Sequence, residues 1–447
     1  MKRLILSAGV LLVVAGVAAT GAQAVDRGPG GYIYWNTVTG SGGGIAKFLL
    51  YRLQIDNASS AVGAPVNFDN VVQNNTYTSW STVIKNRNVE VYDPRISGGA
   101  GTLLLTAITN NTPPSRGYTA ANYEQPWDVL QINPTTLSHT LLCDGRLDCG
   151  TWDSKHLYTA LAAPKDWLPG SSSNNLSLVT VRGIWSSNVS YLFDANNNTV
   201  IDNTTAEGRM YARSAAPNGD AEFGPDKALY LSWCAGNPGV ARMDRLWLKS
   251  TGVQTSNYFN IDNALDLIGL SRQTSAVGLA VGPGNAFCSR PIVYLFAMDN
   301  NFAGSITKPA IFALQDVNGD NVVTYGSGDV IKEIWRSGQA GITMSRELDY
   351  DSQDIELYVD PDNAARRTLF FNEYNGGRLY ALSLVDNGLA MKGTGKTILT
   401  GGLPVVLGQG FEIDMNPAAR IPEPATLLLL GTGALGALGW MRRRRMR

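Results

Sequence analysis

Charge is scarce in this chain. Asp, Glu, Lys and Arg make up 16% of its 447 residues, and histidine occurs only at His139 and His156. Seven basic residues sit at the two ends (Lys2, Arg3, Arg442, Arg443, Arg444, Arg445 and Arg447) beside one acid, Glu423. Residues 25–420 therefore hold 29 basic against 36 acidic side chains, about −7. An acidic body without basic runs offers little to neutralise a phosphate backbone, which argues against a nucleic-acid partner. G-x-S-x-G and H-E-x-x-H are both missing, so serine or zinc hydrolysis has little local support. A triad assembled from distant residues stays open. Cysteine is limited to Cys143, Cys149, Cys234 and Cys288, without the paired two-residue spacing of a zinc site. Long apolar runs are confined to the ends. Helical stretches are few: only 260–272 and 155–168 qualify, and Pro164 interrupts the second.

What is abundant is turn-forming sequence: 48 glycines, 20 prolines and 34 asparagines. Between the turns lie apolar runs of strand length, at 32–35, 89–92, 102–108, 176–181, 189–193, 228–233, 276–281, 292–297, 310–314, 355–359, 369–371 and 379–384. The body is expected to be all-β.

The ends speak of export. Met1-Lys2-Arg3, an apolar run over 4–19, and Ala22-Gln23-Ala24 have the form of a cleaved signal peptide covering residues 1–24. In an oxidising compartment the four cysteines would pair; of the three pairings, 143–149 with 234–288 suits the positions best. At the other end, Ile421-Pro422-Glu423-Pro424 precedes an apolar stretch over 425–441 and then Arg442 to Arg445. Seventeen apolar residues can just cross a bilayer, with the arginines left on the cytoplasmic side. This order of parts resembles the PEP-CTERM sorting signal of Gram-negative bacteria. The resemblance covers residues 421–447 only. It implies recognition by an exosortase-type sorting protease, cleavage near Pro422, Glu423 and Pro424, and delivery to the cell envelope, surface or exterior, usually in bacteria that make exopolysaccharide. Before processing, the tail helix would hold the protein to the membrane.

Residues 25–420 read as one domain. Two segments match: VSYLFDANNNTVIDNTTAEGRMYARS from Val189 and AIFALQDVNGDNVVTYGSGDVIKEIWRS from Ala310. In each, an apolar strand ends on an aspartate (Asp194, Asp316). An acid follows thirteen residues on (Glu207, Asp329), and a second strand closes on Arg-Ser. Related cores recur at 292–296 and 378–382. Repeats of several strands point to a β-propeller, with about seven blades expected from a fifty-residue period. An array of stacked sheets is the alternative.

The two matching loops carry oxygen donors at alternate positions, the spacing that lets side chains turn towards one hard cation. Asp316, Asn318, Asp320, the carbonyl of Val322, and Thr324 form one set; Asp194, Asn196, Asn198, the carbonyl of Val200, and Asp202 form the other. Asp316-Val317-Asn318-Gly319-Asp320 resembles the start of a dockerin or EF-hand loop but departs at Asn321 and Ser327. The pattern is closer to the calcium hairpins of integrin-like propellers, which implies a structural calcium. Asp and Asn also serve simply as turn formers that accept backbone hydrogen bonds.

Other signals are weak. Gly393-Thr394-Gly395-Lys396-Thr397 has Ala390 where a phosphate loop needs glycine and reads as a polar turn. Gly431, Gly433 and Gly436 lie inside the tail stretch. Asp349, Asp351, Asp354 and Glu356 are the densest acids, the one candidate set for a glycosidase pair, and read equally well as a solvated loop. The leading expectation is a non-catalytic surface or matrix protein that binds polysaccharide or another surface protein. The alternative is a secreted carbohydrate-active enzyme, a hydrolase or lyase, of propeller form.

Overall fold

The computed structural model describes, between residues 31 and 414, the strands named below and the connecting segments at 133, 163–164, 220, 224–228, 283–291, 309, 316–329, 337–344, 354, 360, 364–366, 386–389, 392–393 and 395. The signal segment, the 193–207 loop and the tail, with the expectations placed on them, lie outside the described residues.

The strands form six antiparallel sheets among the described residues. The first contains β1 (Gly31–Thr39), β2 (Lys47–Ile55) and β3 (Val66–Asn67); the second, β4 (Val83–Tyr92), β5 (Leu103–Asn110), β6 (Trp127–Ile132) and β7 (His139–Cys143). The third contains β8 (Tyr158–Ala162), β9 (Val179–Arg182), β10 (Ser187–Leu192) and β11 (Gly208–Arg213). The fourth contains β12 (Ala221–Phe223), β13 (Leu229–Trp233), β14 (Arg242–Lys249) and β15 (Gly252–Asn260). β16 (Thr274–Gly282), β17 (Ile292–Asp299), β18 (Ala310–Gln315) and β19 (Val330–Arg336) make the fifth. β20 (Ile355–Val359), β21 (Arg367–Glu373), β22 (Arg378–Val385), β23 (Ala390–Met391) and β24 (Lys396–Thr400) make the sixth. The last strand, β25 (Phe411–Asp414), returns to the first sheet and pairs antiparallel with β1, Tyr32 opposite Asp414 and Trp35 opposite Phe411.

The leading strand of each sheet packs against that of the next, in the cycle β25, β4, β8, β12, β16, β20 and back to β25. Each sheet is thus covered on both faces by neighbours, a β-propeller-like ring. This is why the sequence shows continuous apolar runs rather than strict alternation. On β17, Val293, Leu295 and Ala297 pack with Tyr230, Met243 and Phe259 of the fourth sheet, while Tyr294 and Phe296 pack with Leu369, Phe371 and Tyr380 of the sixth. All of these side chains are buried. The fourth strand β19 is partly open to water: Lys332 and Glu333 are exposed, charges that guard a free sheet edge against further pairing.

The two matching hairpins occupy equivalent places. β10–β11 and β18–β19 are the third and fourth strands of their sheets. Their starts, Val189 and Ala310, are 121 residues apart in sequence and two sheets apart in the ring. The period is therefore near sixty residues rather than fifty, because loops such as 316–329 lie inside it. Six sheets stand among the described residues where about seven blades were expected. The recurring cores at 292–296 and 378–382 are not equivalent, being a second strand and a third strand. The helix expected over 155–168 is replaced at its centre by β8, whose pairing with β9 outweighs local preference. At 260–272, Asn260 ends β15 and the rest lies outside the described residues.

Candidate functional site at the Asp316 loop

The connection between β18 and β19 turns on one buried carboxylate. Asp316 is 2% exposed, and both of its oxygens are engaged. Oδ1 accepts from the Gly319 amide at 2.7 Å; Oδ2 accepts from the Asn321 amide at 2.9 Å and from Arg290 Nη1 at 2.7 Å. The second guanidinium nitrogen of Arg290 donates to the Gly319 carbonyl at 3.1 Å. Gly319 has φ 91°, and a Cβ there would stand 2.7 Å from Arg290 Nη2, so conformation and contact both require glycine. Asn318 Oδ1 accepts from the Asp320 amide and Asp320 Oδ1 from the Val322 amide, each at 2.9 Å, two successive Asx turns. Asn321, at φ 68°, accepts through Oδ1 from Arg245 Nη1 of β14 at 3.1 Å. The Val323 amide donates to the Tyr258 carbonyl of β15 at 2.6 Å.

Asp329 closes the far half of the loop. It accepts from the amides of Val317 (2.9 Å), Asn318 (3.3 Å) and Thr324 (3.0 Å) and from the Ser327 hydroxyl. Burial pushes its carboxyl up, but the Ser327 hydroxyl and the three amides outweigh burial and hold it below the usual aspartate value. Beneath the loop, burial is the main cause that drives the Tyr258 phenol well above its ordinary range; a hydrogen bond with the Asp316 backbone opposes the rise and the Asp316 charge adds to it. Tyr258 meets Tyr230 edge-on at 5.2 Å. Arg245 lies over Trp247 and binds Asp226 at 2.8 Å, so one arginine ties two turns of the fourth sheet's neighbourhood to the fifth.

Calcium asks for six to eight oxygens at about 2.3–2.6 Å. The structure brings Asp316, Asn318 and Asp320 into one turn, but their oxygens hold the turn's own amides, and a guanidinium already stands on Asp316. Thr324 uses its amide on Asp329 and is exposed. No group of three or more acidic, histidine or cysteine side chains poised for a metal occurs among the described residues. The donors as placed do not fit calcium and fit the turn-forming role. The second set, at 194–202, is outside the described residues. So are Cys149 and Cys234, while Cys143 ends β7. Cys288 is a free thiol here, its Sγ directed at the Asp316 carbonyl at 3.9 Å rather than at a partner cysteine.

A second set of acids was not legible as a set. Glu222 on β12 and Glu356 on β20 lie opposite Tyr230 and Phe370, and both are buried. Glu90 on β4 and Glu412 on β25 pair opposite Leu105 and Tyr34. Four of the six innermost strands thus carry a glutamate, while β16 has Ala280 opposite Tyr294. The residue two before two of these glutamates is also a buried aspartate. Asp220 Oδ1 accepts from the Ala221 amide at 2.8 Å and its Oδ2 from Leu279 of β16 at 3.0 Å; Asp354 Oδ1 accepts from Ile355 at 2.8 Å. Asp354 and Glu356 are therefore buried, not part of a solvated loop, and Asp349 and Asp351 are outside the described residues. The available signal was an apolar-Glu-apolar triplet repeated at Val89-Glu90-Val91, Ile355-Glu356-Leu357 and Phe411-Glu412-Ile413.

A ring of antiparallel sheets closed between its first and last strands defines a β-propeller-like protein. Residues 420–445 match the PEP-CTERM protein-sorting motif. That motif marks an exported, cell-surface-directed protein recognised by an exosortase through its C-terminus. No curated protein matches it. Similar solved structures include a candidate 6-phosphogluconolactonase from Bacteroides uniformis, 8% identical, TM-score 0.39, covering 87% of this chain and 100% of that one. A second candidate of that name, from Bacteroides fragilis, is 7% identical with TM-score 0.40 over 86% and 98%. An apocarotenoid oxygenase variant from Synechocystis is 8% identical with TM-score 0.38 over 85% and 73%.

Proposed function

We propose that the body is a six-bladed β-propeller that binds polysaccharide or another surface protein at the envelope of a Gram-negative bacterium, without turning its ligand over. The sorting motif at 420–445 carries this reading, since it commits the chain to the cell exterior. Six sheets among the described residues, with the ring closed by β25, support six blades over seven. Phe287 and Tyr325, 82% and 63% exposed on loops at one end of the fifth sheet, offer flat apolar faces of the kind that stack on sugar rings. In this reading the tail stretch over 425–441 holds the protein in the membrane until cleavage near Pro422, Glu423 and Pro424.

The protein is incubated with the exopolysaccharide of the cells that produce it. Retention without new reducing ends is the expected result; neither retention nor turnover removes polysaccharide as the ligand. The second reading, a hydrolase or lyase of propeller form, draws on the glutamates carried by four of the innermost strands. Release of reducing ends that is abolished in Glu222→Gln or Glu356→Gln would replace the binder by the enzyme.

Structural calcium is proposed at the 194–202 loop alone. Its donors Asp194, Asn196, Asn198, Val200 and Asp202 keep the alternate spacing. Terbium binding that is unchanged by Asp194→Asn rejects this assignment.

A further inference from the structure

We propose that Arg290 is the resident cation of the Asp316 loop: its guanidinium closes the turn that a metal would otherwise be expected to close, so the loop forms without calcium. The geometry has three parts. The Arg290 pair with Asp316 is asymmetric, one side chain 39% exposed and the other 3%, so the carboxylate is removed from water and needs a fixed positive partner. Nη1 meets that carboxylate while Nη2 meets the Gly319 carbonyl, so one planar group satisfies a charged acceptor and a backbone acceptor at once, as the fork geometry of a guanidinium allows. Gly319 leaves the space the guanidinium occupies; any side chain there would collide with it.

Arg245 completes the arrangement from the preceding sheet. Its Nη1 holds Asn321 of the same turn and its Nη2 holds Asp226, so the closed turn is also fastened across the junction between the fourth and fifth sheets. The loop is an arginine-closed latch between sheets, and its opening responds to loss of the guanidinium, not to a chelator. This inference stands apart from the proposed ligand and from calcium at 194–202.

Deuterium uptake by peptides covering 316–329 tests it in the full exported chain. Wild-type uptake is expected to be the same in millimolar chelator and millimolar calcium. Arg290→Ala is expected to raise uptake at the Gly319 and Asn321 amides about tenfold or more, the scale of one lost charge-assisted hydrogen bond. Should the alanine variant fail to fold, Arg290→Gln keeps length and a donor while removing the charge, and the same rise is expected. Wild-type uptake at 316–329 that falls when calcium is added overturns the proposal. So does wild-type uptake in both Arg290 variants.

Discussion

Replacing Phe371 by alanine should be among the most damaging single changes in the described body. Phe371 is fully buried on β21, with Trp335 at 5.0 Å, Tyr380 at 5.5 Å and Phe296 at 5.9 Å between ring centroids. It therefore joins the fifth and sixth sheets. Truncating a buried phenylalanine costs about 3–5 kcal/mol, the upper end applying where neighbours cannot close the cavity. Trp335 is held from moving in, because its Nε1 donates to the Gln339 carbonyl at 3.1 Å. Losing three aromatic partners removes a further share of contact enthalpy, so the expected loss is about 4–5 kcal/mol. Phe371→Leu keeps most of the volume and should cost about 1–2 kcal/mol. Phe287, 82% exposed, is the internal control: Phe287→Ala should change stability by less than about 0.5 kcal/mol. Urea unfolding followed by near-ultraviolet circular dichroism reads all three. A Phe371→Ala loss below about 2 kcal/mol, or a Phe287→Ala loss as large, would refute the packing between these two sheets.

Two further perturbations probe the loops. Asp329 has a folded pKa below its unfolded one, so the stability it contributes is present above the unfolded value and disappears as pH falls through the folded value. Asp329→Asn should therefore lower the melting temperature at pH 7 and lower it progressively less as pH falls below the unfolded value, and a loss that does not change with pH would discard the carboxylate's role. Gly284→Ala would set a Cβ 2.5 Å from the Ser289 carbonyl carbon and 2.6 Å from its oxygen, which are backbone atoms that cannot rotate away. The 283–291 loop must then shift, and Arg367, which donates to the carbonyls of Pro283 at 2.8 Å and Gly284 at 2.5 Å, loses its hold across the fifth and sixth sheets. A loss of about 1–3 kcal/mol is expected, and an unchanged melting curve would show that the loop yields freely.

What the sequence made legible follows from burial. Each of the twelve apolar runs it exposed overlaps a strand, and where side chains are described, as at 292–297 and 310–314, both faces are buried, which leaves unbroken hydrophobic segments. The strands it hid have polar faces: β15, Gly-Val-Gln-Thr-Ser-Asn-Tyr-Phe-Asn, and β14, with Arg242, Asp244 and Arg245, lie in the outer half of their sheet. The Asp316 turn was visible as a pattern of acids and amides, yet its cation was not. Arg290 precedes Asp316 by 26 residues, in a different connection of the same sheet, and only the pairing of β17 with β18 brings the two together. The inner glutamates were hidden for a similar reason, since the innermost strands recur at no fixed period when loop lengths vary.

The place of β25 separates the folding of the body from the fate of its tail. β25 covers β1 from Tyr32 to Trp35 and packs against both β4 and β20, so the ring closes only when residues 411–414 are in place. Ending the chain after residue 420 leaves all of this intact, and the shortened protein should melt as the full-length one does while losing its processing. Ending it after residue 410 uncovers a strand whose Ile33 and Tyr34 are 0% and 2% exposed, and presents a row of unpaired backbone groups to any second strand. That form should self-associate on size exclusion and be cut by protease within residues 31–55. If it stays monomeric and as resistant as the longer form, the closure is dispensable. Between Asp414 and Ile421 only six residues intervene, a reach of about 20 Å when extended. If the proposed cleavage falls near Pro422, the sorting protease meets the ring at close quarters and cuts outside the last strand.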